Sequence, residues 1–175
     1  FAVTNIKTIS IPDSVQNIGM SAFSNINNLS KVGFSNNSKC ESIGESAFSY
    51  TYNLKEFLIP DSVTSIEDNA LYESGITKIG IGANLTSIGS GVFASCHNLS
   101  DITVDEKNAK YASYDGVLYN KNKTILILYP AARSGSYTLA KTTEKIDRYA
   151  FSGASKLSEV VMNEGLTEIG ENAFE

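Results

Sequence analysis

The chain has 175 residues, 42% hydrophobic and 19% charged, with a formal net charge of -5. That composition supports a buried core and excludes disorder. Acidic and basic residues are both spread along the chain, which argues against the Lys/Arg clusters that nucleic acid or an anionic membrane surface requires.

The first predicted element is a short strand ending at Ile11. The spacing Ile6-x-x-Ile9-x-Ile11 closes in strict alternation, which places Ile9 and Ile11 on one face. Pro12 ends the strand, because it has no N–H for a ladder. The stretch Asp13-Ser-Val-Gln-Asn-Ile-Gly19 predicts a turn and a second inward pair. Ala22-Phe23 predicts a short helical turn on the outer side.

This series then returns. The anchors Phe23, Phe48, Leu71, Phe93, Phe151 and Phe174 follow at steps of 25, 23, 22, 58 and 23 residues, and each has isoleucine five positions before it, from Ile18 to Ile169. The strand starts are Ile6, Leu29, Leu54, Ile76, Leu99 and Leu157. Asparagine precedes four of them (Asn5, Asn28, Asn53, Asn98), as suits a turn residue that tolerates left-handed backbone and satisfies main-chain groups. Fixed-period similarity predicts a solenoid. A lone repeat cannot stand: its half-dozen inward side chains contribute roughly 1.5–3 kcal/mol each, against roughly 1.5 kcal/mol per ordered residue. Several repeats must therefore stack, with one short parallel strand in each.

The 58-residue step exceeds one repeat and marks an insert at about 105–136. Within it, Val117 to Asn120 and Thr124 to Tyr129 predict a hairpin across Lys121-Asn-Lys123, with Asp115-Gly116 as a turn before it. The run Ile125 to Tyr129 is the longest apolar stretch and has strand length, far below the roughly 18 residues of a membrane span. The repeat resumes at Tyr137-Thr-Leu-Ala140, where Ala140 takes the proline position and Thr143 the valine position. Tyr111, Tyr114 and Tyr119 in the insert are candidate ligand contacts, since tyrosine joins apolar area to a polar tip. The alternative is that these rings pack the hairpin onto the solenoid.

By register Cys40 takes the inward place of Val15, Val63, Leu85 and Leu166, two repeats from Cys96. That separation predicts two free buried thiols. His97, the only histidine, falls on a turn position exposed to solvent, so neither a Cys-His pair nor a zinc site is expected. No nucleophile elbow, phosphate loop or spaced calcium loop occurs, and no cofactor or metal is implied.

The repeats resemble the BspA-type leucine-rich-repeat proteins found on bacterial surfaces. The matching stretches are Ile9-Ser-Ile-Pro-Asp-Ser-Val-Gln-Asn-Ile-Gly-Met-Ser-Ala-Phe23 and Val92-Phe-Ala-Ser-Cys-His-Asn-Leu-Ser-Asp-Ile-Thr-Val104. The insert, with Asp-Gly-Val-Leu-Tyr ahead of a Lys-rich turn and a strand ending in Tyr-Pro, is similar to one seen in that family. The resemblance implies a leucine-rich-repeat α/β horseshoe over 1–175, of about six repeats of 22–25 residues. It also implies an extracellular or cell-surface module that binds protein or glycan on host or neighbouring cells. The alternative is a non-catalytic spacer in a larger surface or secreted protein. Both ends of the chain fall inside the pattern, which leads us to expect a fragment of a longer protein. Binding would use the concave sheet, whose outward row runs Thr8, Lys31, Glu56, Lys78, Asp101 and Glu159, with Ser10, Gly33, Leu58, Gly80, Thr103 and Val161 beside it. Of these, Lys31, Glu56, Lys78 and Asp101 are the candidate contacts. The same face is equally read as plain solvated surface.

Overall fold

A computed structural model describes residues 4–175. Its strands, in chain order, are β1 (Thr8–Ile11), β2 (Asn17–Ile18), β3 (Lys31–Phe34), β4 (Ser42–Ile43), β5 (Ser65–Ile66), β6 (Lys78–Ile81), β7 (Ser87–Ile88) and β8 (Asp101–Val104). There follow β9 (Tyr111–Tyr114), β10 (Val117–Asn120), β11 (Ile125–Leu128), β12 (Gly135–Thr138), β13 (Lys145–Ile146), β14 (Leu157–Val161) and β15 (Glu168–Ile169). Most coils of the solenoid carry one longer strand and one two-residue strand; in the coil of Glu56 the longer strand is reduced to single bridges. The longer ones pair in parallel as β1-β3, β6-β8 and β12-β14, and single bridges at Glu56 join β3 to β6. The short ones form the row β2-β4-β5-β7 and, past the insert, β13-β15, which pairs with the insert's four-residue β11. Most of the predicted inward residues are buried: Ile18, Ile43 and Ile66 beneath the short strands, Val32, Phe57, Ile79 and Ile102 beneath the long ones; Ile9 and Ile88 are half-buried, and Ile169 at the last coil is exposed. Thr143 and Ala140 are buried in the valine and proline positions, and the Thr143 amide donates to the Ala140 carbonyl (2.9 Å) as Val15 does to Pro12 (3.1 Å).

The predicted helical turns are not helices. Over residues 21–25, 46–50, 69–73, 91–95 and 149–153 the chain forms arcs. Two positions in each arc, two before and two after the anchor, have positive φ: Ser21 and Asn25, Ser46 and Tyr50, Asn69 and Glu73, Gly91 and Ser95, Tyr149 and Gly153. The reason is where the amides go. In the arc at 46–50, Ser46, Phe48 and Tyr50 donate to Asp68, Ala70 and Tyr72 of the next coil (2.7–3.0 Å), while Ala47 and Ser49 donate three residues back. Alternate amides committed along the solenoid axis cannot complete an i→i−4 series.

The insert is larger than a hairpin. β9, β10 and β11 form an antiparallel meander, with Asp115-Gly116 (φ 49° and 69°) as the β9–β10 turn, a left-handed pair of the type suited to two-residue hairpin loops. β11 then pairs in parallel with β13 (Leu126 opposite Ile146), so the insert supplies a further coil of the stack. The meander is a wall between two cores. Tyr111, Leu118 and Leu128 join the core of the earlier repeats, whereas Val117, Tyr119, Leu126 and Tyr129 join that of the later ones. Tyr129 stacks on Phe151 (5.1 Å), and Phe151 on Phe174 (4.7 Å), continuing the anchor column begun by Phe23 and Phe48 (5.1 Å).

Candidate functional site

The outward row of the long strands is a register row. Lys31 pairs with Thr8 and bridges to Glu56, Glu56 bridges to Lys78, and Lys78 pairs with Asp101. Parallel strands lie about 4.8 Å apart, so the row carries charges of alternating sign at that spacing. Lys31, Glu56 and Lys78 are exposed. Asp101 is half-buried, because the insert's Asp115-Gly116 turn packs beside it and the Ile102 amide donates to the Gly116 carbonyl (3.2 Å). A methyl group on Gly116 would lie 2.8 Å from an Asp101 carboxylate oxygen. Arg133 braces that turn, with an ion pair to Asp115 (3.0 Å).

Beside this row stands Leu58, 78% exposed. Its neighbour Phe57 is buried against Phe34 (6.1 Å, edge-on) and Phe48 (4.9 Å), which turns Leu58 to solvent. In the flanking coils its place is taken by Gly33, opposite Ser10, and Gly80, opposite Thr103. Neither glycine has positive φ. A methyl group at Gly33 would come no closer than 3.8 Å to the Ile9 carbonyl, and one at Gly80 no closer than 3.6 Å to the Thr103 hydroxyl. The backbone therefore tolerates side chains at both positions. Contrast Gly44, where a methyl would sit 2.8–2.9 Å from main-chain atoms of Ile18, Gly19 and Met20. The glycines beside Leu58 leave two depressions, of about 540 Å³ (with Lys31, Gly33 and Pro60) and about 410 Å³ (with Gly80, Ile81 and Thr103).

The insert tyrosines divide, and two of the three expected contacts need correction. Tyr119 is fully buried, with its hydroxyl 2.9 Å from that of Tyr137, and Tyr111 is 9% exposed, its hydroxyl directed at the Thr86 carbonyl (3.5 Å). Both are core rings: Tyr119 lies on β10, which is buried on both faces, and Tyr111 points from the start of β9 into the core of the earlier repeats. Burial drives the phenol pKa of both upward, and of Tyr137 most of all. Tyr114 alone is exposed (41%), with Lys123 over its ring at 5.3 Å.

Cys40 and Cys96 are free and fully buried. Burial pushes the Cys96 thiol up to about 11, and it donates to the Leu71 carbonyl (3.1 Å). His97 is exposed, as expected, and its Nδ1 reaches the Gly153 carbonyl (3.4 Å) across the insert. No helix among the described residues is long and apolar enough to cross a membrane.

Similarity to known proteins agrees with this geometry. A family model described as BspA type leucine rich repeat region matches six copies over residues 1–121 and 131–175. The chain is similar to a leucine-rich repeat protein of Eubacterium ventriosum (30% identity, TM-score 0.81), covering 97% of this chain and 51% of that one. It is similar to the pneumococcal vaccine antigen PcpA (29%, TM-score 0.83; 96% and 48%) and to a leucine rich cell surface protein of Faecalibacterium prausnitzii (28%, TM-score 0.71; 97% and 58%). It thus spans about half the length of these solved relatives. No curated protein matches by sequence. With six copies of the repeat over nearly its whole length, the chain belongs to the BspA-type leucine-rich-repeat family.

Proposed function

We propose that this chain is a non-catalytic binding module of a bacterial surface protein, and that it engages a protein partner through the long-strand face centred on Leu58. The observation that carries the reading is an exposed leucine flanked by two glycines the fold does not require. An apolar knob between two depressions suits a complementary surface, where one desolvated anchor contributes most of the energy. Lys31, Glu56, Lys78 and Asp101 form the polar margin that fixes orientation, since rim charges govern approach more than affinity. Tyr114, on the insert, extends the candidate contacts. Similarity to surface proteins supports an extracellular setting.

The test uses the full chain against a panel of immobilised host matrix proteins. Saturable binding that Leu58→Asp abolishes and Gly80→Val weakens at least tenfold, with unfolding midpoints unchanged, supports the reading. Binding that survives both substitutions refutes it. A folded chain that binds nothing on the panel favours the spacer reading.

A further inference from the structure

The axial ladder of the arcs has one gap. Elsewhere three amides of each arc donate to the next coil, as Tyr149, Phe151 and Gly153 do to Glu171, Ala173 and Glu175. In the arc at 91–95 the equivalent amides, Gly91, Phe93 and Ser95, find no main-chain acceptor among the described residues. The cause is the insert, which adds strands but no outer arc. Tyr129 fills only the centre, with its amide on the Ala150 carbonyl (2.7 Å). The arcs at 91–95 and 149–153 are instead tied by side chains: Ser95 Oγ to Ser152 Oγ (3.3 Å) and His97 to the Gly153 carbonyl (3.4 Å).

Two cavities open along this gap and share Ala94 and Tyr149. The first, about 410 Å³, has Gly91 and Phe93 in its wall. Ser90 also lines it, with a buried hydroxyl that has no hydrogen-bond partner. The second, about 480 Å³, is lined by the rings of Tyr50, Tyr72 and Tyr149 together with Asn69, Ser95 and Ser152. Its lining holds no Lys or Arg, and its single carboxylate side chain is Glu175. Main-chain amides without a protein acceptor take one from water or from a ligand, so these three donors are available to a molecule seated in the gap. Aromatic faces beside hydroxyl, amide and N–H groups suit a ligand with apolar C–H faces and hydroxyls that both donate and accept. Arg148 lines the first cavity, whereas the second has His97 as its one basic side chain, engaged with the Gly153 carbonyl (3.4 Å), which argues against an anionic ligand there.

We propose that this gap is a binding site for a neutral saccharide, separate from the long-strand face. The sugar ring would lie against Tyr50, Tyr72 or Tyr149, and its hydroxyls would accept from Ser95 N–H and exchange hydrogen bonds with Ser152 and Asn69.

The test titrates the isotope-labelled chain with methyl galactoside, methyl mannoside and N-acetylglucosamine, reading tyrosine ring and Phe93 and Ser95 amide resonances. At least one probe should shift these together and saturably on the order of millimolar, the strength of a weak single site. Tyr149→Ala and Tyr50→Ala should each weaken binding at least tenfold without lowering the melting temperature. Tyr149→Phe should retain most of it, and Leu58→Asp should leave it unchanged, which separates this site from the protein-binding face. Absence of shifts with all three probes at about ten times that concentration overturns the proposal. So does binding that both alanine variants retain.

Discussion

Replacing Leu58 with alanine should change stability by no more than about 0.5 kcal/mol, the range of surface substitutions away from special features. The same truncation one residue earlier, Phe57→Ala, should cost about 3–5 kcal/mol. The two side chains are adjacent in sequence, but Phe57 is 1% exposed and wedged between two phenyl rings, while Leu58 is 78% exposed. Gly80→Ala should be neutral or stabilising by up to about 1 kcal/mol, because a strand glycine is entropically costly and the added methyl meets nothing closer than 3.6 Å. Urea unfolding followed by far-ultraviolet circular dichroism reads all three as midpoint shifts at constant slope. If Leu58→Ala cost more than about 2 kcal/mol, Leu58 would be a packing residue. If Gly80→Ala cost as much, the glycine would be demanded by the backbone. Either result removes the physical ground for a contact surface there.

Three further outcomes follow from the packing. Tyr119→Phe, which leaves the buried Tyr137 hydroxyl without its partner, should cost about 1–3 kcal/mol, while Tyr114→Ser should fall within about 0.5 kcal/mol; chemical denaturation separates them. Ser21→Gly, at a left-handed position (φ 54°) exposed to solvent, should raise stability by up to about 1 kcal/mol, whereas Gly44→Ala should lower it and the melting temperature together. Stability should decline as pH rises from about 9 towards 11. The Cys96 thiol is held above its ordinary value in the folded chain, as are the buried phenols, so the unfolded chain releases these protons first and the folded state loses its advantage. The slope from each such group is up to about 1.4 kcal/mol per pH unit, and Cys96→Val should reduce it in pH-dependent thermal melts.

The inward ladder was readable because its spacing repeats. Isoleucine five residues before each anchor and the Leu-x-x-Ile-x-Ile blocks name the buried faces directly, and the register of Cys40 and Cys96 predicts their burial as free thiols. The arcs were misread as helical because short apolar spacing alone does not reveal where amides donate. The left-handed positions two before the anchor leave only a partial trace: Asn69, Gly91 and Asn172 are residue types that tolerate positive φ, while Ser21, Ser46 and Tyr149 are not. Tyr111 and Tyr119 looked like contacts because a loop insert normally has a solvent side. Here β10, which carries Tyr119, lies between two cores and is buried on both faces, while Tyr111 is at the buried start of β9, whose far end at Tyr114 reaches solvent. Leu58 was legible as a member of the outward row between Gly33 and Gly80. Its exposure, and the freedom of those glycines, depend on neighbouring coils the linear pattern does not show. The gap in the arc ladder has no linear signal beyond the 58-residue step, because it arises from strands that replace an arc.

The most direct test of the central claim is the affinity of the full chain, wild type and Leu58→Asp, for its best partner on the matrix-protein panel. Loss of binding in a variant with an unchanged unfolding midpoint is the predicted result. Equal affinity of the two proteins would contradict the assignment of the long-strand face.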